Sequence, residues 1–275
     1  MQIIKHIGEL KHQLKKEDKT IGFVPTMGSL HEGHISLIKN ARKENEVVVV
    51  SIFLNPTQFL VGEDLEKYPR KDESDKKICH LCDVDYLFMP DISTMYGNDE
   101  ILLKAPKING FILEGEKRAG HFDGVLQVVL KLFNIVNPTK AYFGKKDAQQ
   151  LALIQQMVKN LYLDISIVAC EICREPSGLA MSSRNVYLTQ DEKEEALKIS
   201  KSINFAAKAV GKLELNSDFI IKNMKEILKS ERIEIEYIQI VNRNFKILQT
   251  VEIQNSIILV AVRIGNTRLI DNIWL

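Results

Sequence analysis

The chain has 275 residues, of which 45% are hydrophobic and 27% charged, a composition typical of a globular protein of one or two domains. Its 37 basic and 36 acidic residues leave a net charge of +1, which gives no sign of a surface for nucleic acid or for a membrane. Its apolar stretches are too short to span a bilayer and its N-terminus lacks a signal-peptide layout, so we expect a cytoplasmic protein with small-molecule partners.

The first strand-like run, residues 21–24, leads into the sequence Pro-Thr-Met-Gly-Ser-Leu-His-Glu-Gly-His of residues 25–34, which opens a helix-like pattern. A strand-to-helix turn in a parallel sheet is expected to offer unpaired backbone N–H groups and the positive end of a helix dipole. Its two glycines allow close approach of the main chain, and His31 and His34 can donate hydrogen bonds from their rings. We therefore predict a phosphate site at this turn.

Other interpretations of the turn fit less well. Its two histidines are one residue too close for the H-E-x-x-H zinc helix, and its glycines do not fall as G-x-G-x-x-G. Residues 115–120 have the glycine spacing of a P-loop, but His121 stands in place of the lysine. On the local pattern alone, His31 and His34 could still be ordinary loop residues.

Further strand-like runs alternate with helical patterns that include two amphipathic segments, 123–136 and 147–161. These runs are residues 47–54, 86–89, 141–144 and 165–170. The alternation predicts a Rossmann-like, doubly wound parallel sheet, which we assign to a first domain of residues 1–175. Right-handed crossovers bring the carboxyl ends of parallel strands to one edge, where three loops should cluster. Those loops are residues 25–34, 55–59 and 145–147.

The four cysteines form two C-x-x-C pairs, Cys79/Cys82 and Cys170/Cys173. The interval between the pairs is far longer than in zinc ribbons. The first pair falls in a helical pattern and the second in a strand-like run, where residues three apart point to opposite faces. We therefore expect free thiols rather than a zinc or redox site.

Residues 176–275 change to two helices followed by three strands, which predicts a smaller α+β domain with a three-stranded antiparallel sheet. The helices are expected at 190–210 and 217–229, and the strands at 233–241, 257–264 and 268–274, the last two joined by a Gly-Asn hairpin turn. Before the helices, residues 181–185 combine two hydroxyls with the guanidinium of Arg184. That combination suits phosphate oxygens, although a helix-capping loop is an equal alternative.

Six ordered motifs together resemble pantothenate synthetase (pantoate–beta-alanine ligase), a family of the HxGH nucleotidyltransferase group, over nearly the whole chain. The motifs are residues 25–34, Asn-Pro-Thr-Gln-Phe at 55–59, Tyr-Pro-Arg at 68–70, Arg-Ala-Gly-His-Phe at 118–122, Gly-Lys-Lys-Asp at 144–147 with Gln149 and Gln150, and Met181 to Asn185. The resemblance implies an enzyme that condenses pantoate with beta-alanine, using ATP and Mg²⁺ and releasing AMP and pyrophosphate. It also implies a pantoyl-adenylate intermediate and a homodimer. Because water would hydrolyse the adenylate, we expect the second domain to act as a lid.

The resemblance also assigns roles to residues. It implies that His34, His31, Lys146 and Arg184 stabilise charge on the phosphates, and that Gln58 and Gln150 hold pantoate through amides that both donate and accept. The nucleotide contacts that it implies are Met27, Gly28, Ser29, Leu30, His31, Glu32, Gly33, His34, Gly144, Lys145, Lys146, Asp147, Cys173, Met181, Ser182, Ser183 and Arg184.

Three positions depart from the family pattern. Lys145 stands where many relatives have glutamate, and Ala119 where proline is usual. Ser74 precedes Asp75 where many relatives carry an acidic pair, which weakens any assignment of Mg²⁺ to Asp75. We expect Mg²⁺ to be carried mainly by the ATP phosphates.

Three alternatives share some of these motifs. Another HxGH nucleotidyltransferase, acting on a phosphate-bearing acceptor, would not need Gln58 and Gln150 and would release pyrophosphate without AMP. A class I aminoacyl-tRNA synthetase is disfavoured by the neutral charge and the lack of a basic domain of tRNA size. A non-catalytic nucleotide-binding module is disfavoured by the presence of His34, Lys146 and Arg184.

Overall fold

The computed structural model describes residues Met1–Leu275. The chain divides into two compact units, one of residues 1–145 and 149–171, the other of residues 146–148 and 172–275. The first unit contains the six-stranded sheet and the second the three-stranded sheet. No helix in the structure is both long and apolar enough to cross a membrane.

Six strands form the sheet of the first unit, and they are β1 (Gln2–Ile4), β2 (Ile21–Thr26), β3 (Val47–Ile52), β4 (Tyr86–Phe88), β5 (Lys140–Gly144) and β6 (Ser166–Cys170). Seven helices accompany them, namely α1 (Ile7–Leu14), α2 (Glu32–Glu44), α3 (Asp72–Leu81), α4 (Ile92–Met95), α5 (Glu114–Lys117), α6 (His121–Val136) and α7 (Ala148–Asn160). Short 3₁₀ turns lie at Pro56–Gln58 and Lys145–Asp147. The first residue of α7 groups with the second unit.

All pairings in this sheet are parallel, and the strand order is β1-β4-β3-β2-β5-β6. Strand β3 is buried along its whole length because its Val-rich sequence is apolar on both faces, as a central parallel strand requires. Strand β2 lies between β3 and β5. Strands β3 and β4 are therefore added on one side of β2, and strands β5 and β6 on the other side. In such sheets this switch point is where ligands bind, beyond the carboxyl ends of the strands. The predicted doubly wound fold is confirmed.

The edge of the sheet differs from the sequence prediction. Strand β1 and helix α1 were not expected, because β1 is three residues long and only Ile4 of it is buried. The strand predicted at 47–54 ends at Ile52. The second cysteine pair was also misplaced, since Cys170 ends β6 but Cys173 lies beyond it and groups with the other unit. All four cysteines are free thiols.

The second unit has a 3₁₀ turn at Ser183–Tyr187, helices α8 (Gln190–Gly211) and α9 (Ser217–Leu228), and antiparallel strands β7 (Ile233–Asn242), β8 (Ser256–Ile264) and β9 (Thr267–Trp274). Helix α8 begins with a capping box, in which Thr189 and Glu192 each accept the other's backbone N–H. Gly265, at a φ of +54°, makes the predicted hairpin between β8 and β9. Apolar residues of both helices pack with the sheet in one core.

Candidate active site

One buried carboxylate holds the turn between β2 and α2 through hydrogen bonds to its backbone. Asp75 of α3 is 1% exposed, and its two oxygens accept the backbone N–H groups of Ser29 and Leu30 at 2.7 and 2.8 Å. Gly28 and Ser29 both have positive φ, +85° and +52°, so the chain reverses sharply here. An added Cβ at Gly28 would lie 3.0 Å from a methyl carbon of Ile52 and 3.2 Å from Asp75 Oδ2. The position therefore requires glycine for both its dihedral angle and its space.

The two histidines cap helix α2 with their own rings. Nδ1 of His31 accepts the N–H of Gly33 at 3.1 Å, and Nδ1 of His34 accepts the N–H of His31 at 3.3 Å. The ring centroids are 4.2 Å apart. A ring nitrogen that accepts a backbone N–H carries no proton, so this geometry leaves the ring proton of each histidine on Nε2. The turn thus fixes both histidines in the tautomer that can donate from Nε2 to an anion.

The expectation of unpaired backbone N–H groups at this turn was wrong for most of the turn. The N–H groups of Gly28, Ser29, Leu30, His31 and Gly33 are already hydrogen-bonded to Thr26, Asp75 or the histidine rings. Buried backbone donors need partners, and here side chains supply them. The candidate anion-binding features of the turn are therefore the two histidine side chains and the N-terminal dipole of α2, rather than unpaired backbone N–H groups.

The turn after β3 joins the turn after β2 through Gln58. The Oε1 atom of Gln58 accepts from Asn55 at 3.1 Å, and its Nε2 atom donates to the sulfur of Met27 at 2.9 Å. Asn55 also donates to the carbonyl of Gly124 at 3.2 Å and caps the short 3₁₀ turn of residues 56–58. The structure therefore places Gln58 against the turn that follows β2, as the clustering of loops predicted. Thioether sulfur is a weak acceptor, so this N–H is ready to bond to a stronger one.

Helix α6 approaches the same turn at glycine. A Cβ on Gly124 would lie 2.2 Å from the carbonyl oxygen of Thr57, a distance that no side chain tolerates. The backbone of α6 can therefore lie directly against the turn that carries Gln58.

The two glutamines at the start of α7 have different surroundings. Gln149 is buried and fastens the preceding loop, donating to the carbonyls of Asn109 and Ile112 and accepting from the N–H of Glu114. Gln150, the residue predicted to hold pantoate, is half-buried. The chain thus uses one amide for structure and leaves the other as the substrate candidate.

The positive charge at Lys145 is matched locally. The ammonium of Lys145 forms an ion pair with Glu171, which follows β6 as Lys145 follows β5. This departure from the family pattern therefore comes with a partner for its charge. In the second unit, Asn272 donates to the carbonyl of Lys146 at 2.7 Å and holds the main chain of the predicted catalytic lysine.

Residues 173–185 of the second unit form a loop held by an aspartate. Arg174 donates to both oxygens of Asp271 at 2.6 and 2.9 Å, and the Asp271 side chain is 1% exposed. The Met181 N–H bonds to the carbonyl of Cys173, so residues 173–181 run as a hairpin. The Oγ atom of Ser182 accepts the N–H of Arg184 at 3.2 Å and starts the 3₁₀ turn that carries this arginine. The helix-capping interpretation of this segment is thus correct for Ser182, and the guanidinium of Arg184 stays a candidate for phosphate.

The structure brings some predicted site residues together within one unit. Within the first, His31 contacts His34, and Met27 contacts Gln58. Others group with the second unit, and these are Lys146, Asp147, Cys173, Met181, Ser182, Ser183 and Arg184. The sequence did not reveal the roles of Asn55, Asp75, Asp271 and Asn272. Asn55 had a detectable signal, because asparagine directly before proline favours a cap.

The residues of the chain do not fit a protein-bound metal ion. The structure contains no group of three histidine, cysteine or acidic side chains that could hold one. Asp75, the one residue considered for Mg²⁺, directs both oxygens to backbone N–H groups.

A Rossmann-like parallel sheet whose switch point carries a glycine-containing turn and a helix N-terminus defines a class of proteins that bind nucleotides at this position. A family model described as "Pantoate-beta-alanine ligase" matches residues 2–274. The chain therefore belongs to the pantoate-beta-alanine ligase family and is a ligase.

Relatives and solved structures agree over the full length. The chain is 59% identical to "Pantothenate synthetase" of Sulfurimonas denitrificans and 58% identical to that of Aliarcobacter butzleri, each over 100% of both chains. A pantothenate synthetase structure from Thermus thermophilus superposes with a TM-score of 0.95 at 36% identity, covering 100% of this chain and 99% of the other. A Francisella tularensis pantoate-beta-alanine ligase, complexed with beta-gamma ATP and beta-alanine, gives 0.83 at 38% identity, covering 100% and 97%.

Proposed function

We propose that this chain makes pantothenate in two steps. In the first, a carboxylate oxygen of (R)-pantoate attacks the α-phosphorus of ATP, forming pantoyl adenylate and expelling pyrophosphate. In the second, the amine of beta-alanine attacks the acyl carbon, AMP leaves with the bonding electrons, and the new amide nitrogen loses a proton. The observation that carries the proposal is the contact of Gln58 with Met27, because it sets an acid-binding amide against the nucleotide turn.

The first step concentrates negative charge on phosphate oxygens, so its catalysis depends on hydrogen-bond donors and positive groups held in place beforehand. His31 and His34 meet that requirement, since the backbone fixes the tautomer of each ring. We assign them to the phosphates, where Nε2–H groups donate to oxygens that gain charge. We assign His34 the further role of donating a hydrogen bond from Nε2 to the departing pyrophosphate, which carries the charge released by the step.

We assign the remaining nucleotide contacts by family position. Lys146 and Arg184 supply positive charge for the phosphates, and Asp147 accepts from a ribose hydroxyl. The backbone of the 27–34 turn, of 144–147 and of 173 and 181–184 lines the nucleotide. Mg²⁺ arrives with ATP and neutralises part of its phosphate charge.

We assign pantoate to Gln58 and Gln150. The Gln58 Nε2–H group can exchange its weak sulfur acceptor for a hydroxyl or carboxylate oxygen of pantoate without large movement. A neutral amide suits this task, because an ammonium would quench the charge that makes the carboxylate a nucleophile. The buried carboxamide of Asn55 keeps Gln58 in this orientation.

The assay that tests the function supplies the chain with ATP, Mg²⁺ and pantoate, with and without beta-alanine, and identifies the nucleotide products. We expect pantoate-dependent exchange of pyrophosphate into ATP without beta-alanine, and AMP with pantothenate when beta-alanine is added. Formation of ADP, or of AMP without pantoate, would contradict the proposal. Pyrophosphate release without AMP would favour an HxGH nucleotidyltransferase instead.

Three further proposals concern assembly, location and the second domain, and only the first of them rests on the resemblance. The chain forms a homodimer, which light scattering tests, and it works in the cytoplasm, which cell fractionation tests. The chain has a first domain of residues 1–175 and a second domain of residues 176–275. The second domain acts as a lid that excludes water from the reactive adenylate. Small-angle scattering that is the same with and without an adenylate analogue would contradict a large closure.

A further inference from the structure

The motif Arg118-Ala119-Gly120-His121-Phe122 has no role in the proposed reaction, yet its histidine is 7% exposed. The Nδ1 atom of His121 lies 2.7 Å from the carbonyl oxygen of Gln58, and its Nε2 atom lies 3.0 Å from Nη1 of Arg118. A guanidinium only donates, so Nε2 must accept. The ring proton is therefore on Nδ1, which donates to the Gln58 carbonyl, in contrast to the Nε2–H tautomer of the two histidines at the nucleotide turn.

Arg118 is itself fixed by a carboxylate. Its Nε and Nη2 atoms donate to the two oxygens of Glu63 at 2.6 and 2.7 Å, and Nη2 also lies 3.4 Å from the Gln58 carbonyl. The same carboxylate accepts the N–H of Leu60 at 3.1 Å. One guanidinium thus holds both ends of the segment from Gln58 to Glu63.

These groups cannot serve as acids or bases near neutral pH. Burial, followed by the positive charge of Arg118, lowers the pKa of His121 to about 4, so the ring is neutral. Burial by itself would raise the pKa of Glu63, but the hydrogen bonds and charge of Arg118 outweigh it and hold the pKa below its ordinary value. Arg118 and Glu63 therefore form one ion pair beside a neutral ring, and both ring nitrogens of His121 are engaged in hydrogen bonds.

We propose that Glu63, Arg118 and His121 are a chain of positioning residues that fixes the main chain of Gln58, and so sets the affinity of the enzyme for its organic acid substrate. This inference rests on the proposed function, which assigns pantoate to Gln58. The side chain of Gln58 is fixed separately by Asn55, so the three residues act on the backbone beneath the amide that meets the substrate. Their loss shifts that amide relative to the nucleotide turn.

Two isosteric variants separate the proposed role from mere packing. In His121→Asn the side-chain nitrogen overlays Nδ1 and still donates to the Gln58 carbonyl. In His121→Gln the amide overlays Nε2, so it can still accept from Arg118 but leaves the carbonyl without its donor. We expect the pantoate KM to rise about tenfold in His121→Gln, the effect of one lost buried hydrogen bond, and less than about threefold in His121→Asn. The ATP KM should change little in either.

The melting temperatures of the two His121 variants separate a positioning role from a purely structural one. Each variant breaks one of the two ring contacts, so the melting temperatures of both should fall by similar amounts. A purely structural role would make the pantoate KM follow the melting temperature, and equal KM values in the two variants would overturn the proposal. Glu63→Gln, which loosens Arg118 without touching the ring, should raise the pantoate KM about threefold and gives a second test if His121→Gln does not fold.

Two controls complete the experiment. His80→Gln changes an exposed histidine on α3 and should behave as wild type. The ¹⁵N spectrum of histidine-labelled protein, with His121→Asn for assignment, should show His121 protonated at Nδ1, and protonation at Nε2 would overturn the geometry. Absence of pantoate-dependent exchange in the wild type would instead overturn the proposed function and, with it, the substrate part of this inference.

Discussion

Two loops that carry predicted phosphate-binding residues are each held by one buried aspartate, but the aspartates hold different things. Asp75 accepts two neutral backbone N–H groups of the 27–34 turn. Asp271 accepts a guanidinium, that of Arg174, in the 173–185 loop of the second unit. The first carboxylate is a buried charge bonded to backbone N–H groups, and the second is half of an ion pair.

Because the two aspartates have different partners, substitution of each should affect its loop in a different way. Burial raises the pKa of Asp75, while hydrogen bonds from Leu30 and Ser29 oppose the rise. Replacing a carboxylate that accepts backbone N–H groups disturbs that backbone, whereas replacing the carboxylate of an ion pair leaves a cation without its partner. Substitutions at Asp75 should therefore affect chemistry at the nucleotide turn, and those at Asp271 the stability of the second unit.

The largest expected effects come from the side chains assigned to the phosphates. His34→Ala and Lys146→Ala should each slow pantoate-dependent pyrophosphate exchange by about 100-fold or more, the range for lost transition-state donors. His34→Asn is the matched control for the turn, because its Oδ1 atom can accept the His31 N–H while Nε2–H is lost, so it should be as slow as His34→Ala. Recovery of activity in His34→Asn, or near wild-type exchange in Lys146→Ala, would contradict the assigned roles. Lys159→Ala, on the exposed side of α7, should be neutral.

Asp75→Asn should have the next largest effect. An amide presents one oxygen and one NH₂ group, so either Ser29 or Leu30 would face a donor instead of an acceptor. We expect exchange to fall about 30-fold, the effect of about 2 kcal/mol of lost positioning, with the pantoate KM nearly unchanged. Asp72→Asn, on the exposed side of the same helix, is the control. An Asp75→Asn enzyme with wild-type exchange would remove the distinction between the two loops.

Asp271→Asn tests the other side of the comparison. The Arg174 guanidinium would keep one acceptor and lose its counter-charge, which should lower the free energy of unfolding of the second unit by about 2 kcal/mol, less than for a fully buried pair because Arg174 is 30% exposed. Urea unfolding followed by the fluorescence of Trp274 measures this loss. Exchange activity should fall less than in Asp75→Asn, and the reverse order would break the comparison.

His121 should make the free energy of unfolding depend on pH. Its pKa of about 4 in the folded chain lies below the ordinary value of 6.5, so the unfolded chain binds more protons between these values. The contribution of the neutral His121 ring to the free energy of unfolding is therefore complete above the pKa of the unfolded chain. It is lost as the pH falls toward and through the pKa of the folded chain. Relative to His121→Asn, the wild type should lose about 2 kcal/mol between roughly pH 7.5 and pH 5. Parallel pH profiles of unfolding for the two proteins would contradict a buried neutral ring.

The smallest effect is expected at Lys145. Its ammonium is paired with Glu171, whose side chain is 81% exposed, so solvent screens the pair and its contribution is small. Lys145→Gln should change exchange by less than about twofold and the free energy of unfolding by less than about 0.5 kcal/mol. Glu171→Gln is the matched control and should behave alike. A large loss in Lys145→Gln alone would show that this lysine acts on substrate.

The sequence alone determined the parallel sheet, the second α+β region and the position of the nucleotide turn, because hydrophobic period, glycine placement and turn residues are local signals. It also indicated Gln58, since loops after neighbouring parallel strands must meet at one edge. Only the tertiary structure decided that Asp75 holds the turn, that both ring-capping histidines keep their protons on Nε2, and that His121 keeps its proton on Nδ1. The contacts of Asp75 and His121 join residues distant in sequence, such as Ser29 and Asp75, which are 46 positions apart, and local patterns carry no information about them. The two histidine caps are local contacts, but they depend on the side-chain conformations that the folded turn imposes.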